Sequence, residues 1–367
     1  MRKFLAFVSC LFLLAGPAAA DASLDLGKLT RVASKSSGLR VRSRPKVVVL
    51  DAASMQQEAL RLLDREYPPE QQAYDETLYR ALGLLSADQQ LRPWLLHQAE
   101  GSAGLYDPLT RTIEVRSGAT LRRTLLRELV AALEDQAFGL RKLSGLRAGR
   151  RDTALAGNAA VDGYAAFTTG ARAQAPAPAP AAAAPLGTFL AVEARFADTS
   201  GVRFVRTLRA LGGRRAIFTA LRRFPATTEQ LLHIHTFLGR EPAVAVSLPT
   251  VVGKFGLERQ DSFGELDVRA LLTAFGVARV DRAASGWGGG RTGVYRDSSG
   301  RQAVVLALDW DDSTDADEWA ETVPRYVGAA FGAARDLAFA RNGVRTALVF
   351  APSAADAAAI AQAVVSA

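Results

Sequence analysis

The chain has 367 residues, a formal net charge of +8 and a pI near 9.9. That length allows two or three domains with cores of their own. Arginine carries nearly all of the positive charge. It is scattered, not gathered into a stripe interleaved with aromatics, so a nucleic-acid partner is not expected.

The first twenty residues read as a secretory signal peptide. Arg2 and Lys3 form a basic start, Phe4 to Leu14 an apolar run, and Ala18, Ala19 and Ala20 a small-residue cleavage site. The expectation is an exported protein, periplasmic or extracellular, cut near Ala20. Cys10, inside that run, is the only cysteine, so the remainder has neither disulfides nor a thiolate zinc site. No later run is apolar and long enough to span a membrane.

Residues 21–45 are polar and basic, and Ser34 to Gly38 within them reads as irregular. Lys46 to Asp51 reads as a strand, and Ala53 to Glu66, Gln72 to Leu85 and Pro93 to Gln98 as helices. Ser102 to Val115 reads as a hairpin turning at Asp107 and Pro108. Leu121 to Leu140 follows as one amphipathic helix, with Leu121, Leu125, Leu129 and Leu133 at helical spacing. Asp152 to Gly170 is a helix of small residues, and 173–187 is a Pro/Ala-rich spacer. Phe189 to Leu211, Arg214 to Phe224, Thr227 to Phe237 and Leu266 to Phe275 read as further helices. His233 and His235, two apart, suit a strand face better than a helix face. From Gly286 the pattern becomes β-β-α-β-β-α, with turns at Asp297–Gly300 and Asn342–Gly343. Ser313 or Thr314 is the expected cap of the first of those two helices.

Leu121 to Leu140 is where the chemistry concentrates. An HExxH zinc helix puts two histidines one turn apart so that both imidazoles reach one metal, with a general-base glutamate after the first. Here that register reads Arg127-Glu128-Leu129-Val130-Ala131: the glutamate is present and both histidines are absent. The flanking segments Ser102 to Val115, the tail Asp135-Gln136 and the downstream Ala159-Ala160-Val161-Asp162-Gly163-Tyr164-Ala165 resemble a group of secreted bacterial zinc metallopeptidases of the gluzincin type. The likeness continues through Thr227 to His233, Phe263 to Leu272 and Gly286 to Arg291, and so covers most of the chain.

The resemblance implies that Arg127 and Ala131 stand at the two histidine positions, Glu128 at the catalytic glutamate and Asp162 at the third ligand, one methylene shorter than the family's glutamate. It also implies a cleft bordered by His233 and Tyr106. A catalytic zinc needs about three protein ligands and an open position, and an arginine side chain does not deprotonate to become one. Zinc is therefore expected to be lost, leaving no cofactor and Glu128 as a vestigial base. The guanidinium of Arg127 is expected to turn inward and cross-link to Asp162, with Glu128 as a second candidate partner. His97, His233 and His235 are not expected to rebuild a metal site. The acidic residues from Asp309 to Glu318 read as a solvated helix start. Gly286 to Arg291 lacks the Lys-Ser/Thr of a phosphate loop and reads as a tight turn.

The expected fold is α+β. A mostly helical zincin-like domain with a small β-hairpin lobe spans 21–276, and a ββαββα module spans 285–367. The expected function is that of a non-enzymatic pseudopeptidase binding or scaffolding an unidentified protein or peptide. An active hydrolase with a non-standard metal site and a purely structural envelope protein are the alternatives.

Overall fold

The computed structural model describes residues 25–118, 121–144, 149–170, 184–332 and 336–367. The expected signal peptide and residues 173–183 of the Pro/Ala spacer lie outside these, while 184–187 open a helix. The fold is mixed α+β, as expected, and the elements run as follows. Helix α1 (Leu26–Ser37), strand β1 (Lys46–Leu50) and helices α2 (Ala52–Glu66), α3 (Pro69–Ala81) and α4 (Arg92–Glu100) come first. Strands β2 (Gly104–Asp107) and β3 (Thr112–Arg116) lead into α5 (Leu121–Phe138) and α6 (Arg151–Thr169). Helix α7 (Ala184–Phe196) continues through a π turn, Ala197–Gly201, into α8 (Val202–Arg222). Short helices α9 (Thr228–Leu232) and α10 (Ile234–Gly239) precede β4 (Val251–Val252) and β5 (Phe255–Ser262). The remainder is α11 (Glu265–Ala274), α12 (Val280–Ala284), β6 (Trp287–Arg296), β7 (Gln302–Trp310), α13 (Ser313–Phe331), β8 (Leu337–Asn342), β9 (Arg345–Phe350) and α14 (Ala354–Val365).

Helix α1 is a correction to the irregular reading of Ser34 to Gly38, since the helix runs on to Ser37 and only Gly38 leaves it, as the left-handed cap. Asp25 caps it, accepting from the Lys28 amide at 2.8 Å, and Leu29 and Ala33 are buried one turn apart. Asp312, not Ser313 or Thr314, caps α13, accepting from the amides of both Thr314 and Asp315. His233 lies between two short helices, not on a strand.

Three cores organise the molecule. In the first, α1, α5, α6 and α8 pack together under a small sheet of order β1-β3-β2, in which β1 runs parallel to β3. The others flank a six-stranded antiparallel sheet, β4-β5-β6-β7-β9-β8. The two-residue period of a strand divides β7 cleanly. Val304, Leu306, Leu308 and Trp310 face α3, α4, α7, α11 and α13, while Ala303, Val305 and Ala307 face α14.

The sheet starts at Val251, well before the expected module boundary, and the expected boundary near 276–285 does not separate two cores. Residues 67–95 bury Tyr74, Leu78, Tyr79 and Leu82 in the same core as Trp310, Trp319 and Tyr326. The Tyr74 hydroxyl meets Thr292 Oγ1 at 2.7 Å, and the Tyr326 hydroxyl donates to the Leu82 carbonyl at 2.8 Å.

Candidate functional site

Helices α5 and α6 lie against each other and bring position 127 to position 162. The Arg127 side chain is only 11% exposed, and its Nη2 lies 3.4 Å from Asp162 Oδ1, while Asp162 is 48% exposed. Burial works against the Arg127 charge, but Asp162, then Glu128 and Asp198, outweigh it and hold the guanidinium protonated. Ala131, one turn along α5, is buried and offers no ligand atom.

Glu128 is part-buried, and among the described residues its carboxylate makes no hydrogen bond, so the second candidate link to Arg127 is not formed. Burial pushes its carboxyl up to about 7, against the pull of Arg127 and with Asp162 adding to the rise. A carboxylate poised near neutral pH is the state a general base needs. Without a Lewis acid beside it, however, nothing polarises a scissile carbonyl.

Sequence reasoning passed over Glu134, two turns beyond Arg127 on the same side of α5. It is fully buried, and among the described residues neither carboxyl oxygen has a hydrogen-bond partner. Burial holds it well above the usual carboxylate range, Asp162 and Glu128 raise it further, and Arg127 opposes them. A glutamate in an otherwise apolar helix stripe was the available signal.

The π turn completes the site. A Cβ on Gly163 would fall 2.4 Å from the carbonyl carbon of Gly201, and one on Gly201 would fall 2.2 Å from the Ala159 carbonyl oxygen. Only glycines allow α6 and the turn to touch backbone to backbone, and this contact brings Asp198 into the field of Arg127. Single π turns inside helices recur at functional sites.

The surrounding motif residues have structural work. Asp107 accepts a bidentate pair from Arg65, 2.9 Å to each oxygen, and a bond from the Leu109 amide. Burial alone would raise Asp107, but these bonds outweigh it and bring the carboxyl down to about 2. Asp135 accepts from the Tyr106 hydroxyl at 2.8 Å and from the Leu140 amide at 2.7 Å. Gln136 holds the 42–43 segment, accepting from the Arg42 and Ser43 amides and donating to the Ser43 carbonyl. Tyr106 is thus engaged with Asp135, on the wall of a cavity of about 220 Å³ lined also by Arg44, Lys46, Arg111, Ala132 and Gln136.

His233 belongs to a different group. Its Nε2 lies 3.0 Å from Glu265 Oε1, which Arg269 also contacts at 2.7 Å, and its ring lies 5.8 Å from that of His235. Glu229, beside Glu265 and Asp311, is pushed up to about 8, chiefly by burial. Among the described residues, no three His, Cys, Asp or Glu side chains are arranged to hold a metal ion. Gly286 (φ 76°) is in a turn, but Trp287 to Arg291 are the start of β6. A Cβ on Gly289 would meet the Val244 carbonyl oxygen at 2.4 Å, so its glycines admit the 241–250 segment against the strand. The acidic stretch before α13 includes Asp309, which pairs with Arg345 at 2.8 Å, and the cap Asp312.

Residues 251–361 match a family described as a domain of unknown function (DUF8575). No curated protein and no solved structure matches the chain. The matched span begins with β4 and β5, in agreement with the sheet's own start.

Proposed function

We propose that the α5–α6 pair is a zinc-peptidase frame in which an arginine occupies the metal's place, and that the exported protein binds a protein or peptide instead of cleaving it. The observation that carries this reading is Arg127, turned inward and 3.4 Å from Asp162 at the positions the resemblance assigns to two metal ligands. Arg127 supplies a fixed positive charge beside Glu128 and Asp162, as a divalent ion would, but it has no open coordination position for water. The pattern of retention also supports the reading. Tyr106, Asp107, Asp135, Gln136 and Gly163 each hold a hydrogen bond or a close backbone contact. The positions that differ are those whose work in a peptidase would be done on the metal.

Metal analysis and a casein-cleavage assay on the purified protein test this. The expected result is no stoichiometric zinc and no chelator-sensitive cleavage. Stoichiometric zinc with such cleavage overturns the proposal. The variant Arg127→His/Ala131→His/Asp162→Glu is expected to acquire zinc. A folded triple variant that binds none would show that the α5–α6 geometry is not that of a metal site.

A further inference from the structure

We infer that the outer face of α8 is a docking surface for an anionic lipid bilayer. Between Val202 and Thr228 the sequence carries seven arginines and no aspartate or glutamate. All seven are exposed, while Phe204, Val205, Leu208, Ile217 and Leu221 turn inward to the first core. Among the described residues, the guanidinium groups of Arg206, Arg209, Arg214 and Arg215 form neither an ion pair nor a hydrogen bond. A helix face that keeps four guanidiniums without local counter-charges is electrostatically suited to an external anion.

The helix is broken in the middle of this face. Gly212 (φ −155°, ψ 23°) and Gly213 (φ 61°, ψ −151°) leave helical geometry, the second in a conformation that favours glycine. Leu211 continues the apolar stripe of Phe204 and Leu208 past the edge of the core and stands 61% exposed at the break, between Arg209 and Arg214. The Arg214 guanidinium lies over Gly38, so the exposed Lys35 and Arg40 at the end of α1 extend the same basic surface. An apolar tip ringed by arginines fits a lipid surface, where phosphates meet the guanidiniums and the leucine enters the headgroup–acyl boundary. A nucleic acid fits less well. Among the described residues, the exposed large hydrophobic side chains are all valine or leucine, so this face lacks the aromatic platforms on which bases stack.

Co-sedimentation of the purified full chain with phosphatidylcholine vesicles, with and without phosphatidylglycerol, is the test. Binding is expected to favour the anionic vesicles and to weaken as salt is added. Replacing Arg206, Arg209, Arg214 and Arg215 by glutamate is expected to abolish that preference, and replacing them by lysine to retain it. Leu211→Asp is expected to weaken anionic binding roughly tenfold. These side chains are exposed, so the thermal melt should stay close to wild type. Should the glutamate variant fail to fold, the lysine and Leu211→Asp variants still decide the matter. Equal binding to both vesicles, a folded glutamate variant that binds as wild type, or capture of DNA without capture of vesicles overturns the inference.

Discussion

Two arginine–carboxylate clusters meet on α6, and they are built differently. Arg151, at the start of the helix, is almost completely buried. It contacts Asp267 at 3.0 Å and Glu193, and lies 3.8 Å from Asp75. Its backbone amide donates to Asp261 at 3.1 Å, so one residue joins α3, α6, α7, α11 and β5. Three turns along, Arg127 of α5 has one ion-pair partner among the described residues, Asp162, and that one is half in solvent. Among the described residues, the carboxyl groups of Glu128, beside it, and Glu134, two turns further along α5, accept no hydrogen bond. A cluster assembled to hold a fold surrounds its cation with partners. The Arg127 cluster instead leaves carboxyl groups under-satisfied in low-dielectric surroundings, as expected where a stronger central charge is the natural complement.

The largest effect should come from the Arg151 cluster. Arg151→Met strands Asp267, Glu193 and Asp75 without their common cation and should cost about 3–5 kcal/mol in urea unfolding. A loss below about 1 kcal/mol would mean that these carboxyls take up protons easily and that the contrast is one of appearance. Next comes Glu134→Leu, which removes a buried acid that has no partner. It should stabilise the protein by roughly 1–3 kcal/mol. Destabilisation by as much would show that Glu134 is satisfied in solution and place the two clusters in one class.

The smallest signal is a slope. Glu128 has its folded value raised from 4.5 to about 7. The folded state therefore holds a proton that the unfolded chain releases above about pH 4.5, and stability falls as pH rises towards 7. Relative to wild type, Glu128→Gln should remove part of that fall, a difference of less than about 1.4 kcal/mol per pH unit across the window. Unfolding midpoints that run parallel with pH for the two proteins would show that Glu128 is not held near Arg127 and Asp162 in the way described.

Much of this was legible in the residues. The apolar run at Lys46, the turn at Asp107-Pro108 and the leucine spacing of α5 are local signals, and local signals carried the elements they belong to. The break at Gly212-Gly213 was likewise readable, because two adjacent glycines end a helix wherever they occur. Strand β5 was not readable. Its sequence Phe255 to Ser262 is mostly polar, and only pairing with β6 makes it a strand. The inward turn of Arg127 could be argued from the missing histidines. The isolation of Glu134 could not, since it depends on which helices cover α5. The role of the Gly288–Gly290 run was hidden for a similar reason. A glycine needed for a close approach looks, in sequence, like a glycine needed for a turn.

The second core has a consequence in time. Tyr74 and its partner Thr292 are 218 positions apart, and Leu82 and Tyr326 are 244 apart. A chain that emerges amino end first must carry the tyrosines and leucines of α3 uncovered until the sheet that receives them has been made. Contacts of such long sequence separation form late, and the waiting surface is prone to association meanwhile. Residues 251–361, taken alone, would lack the α3 and α4 side chains that fill one face of their sheet.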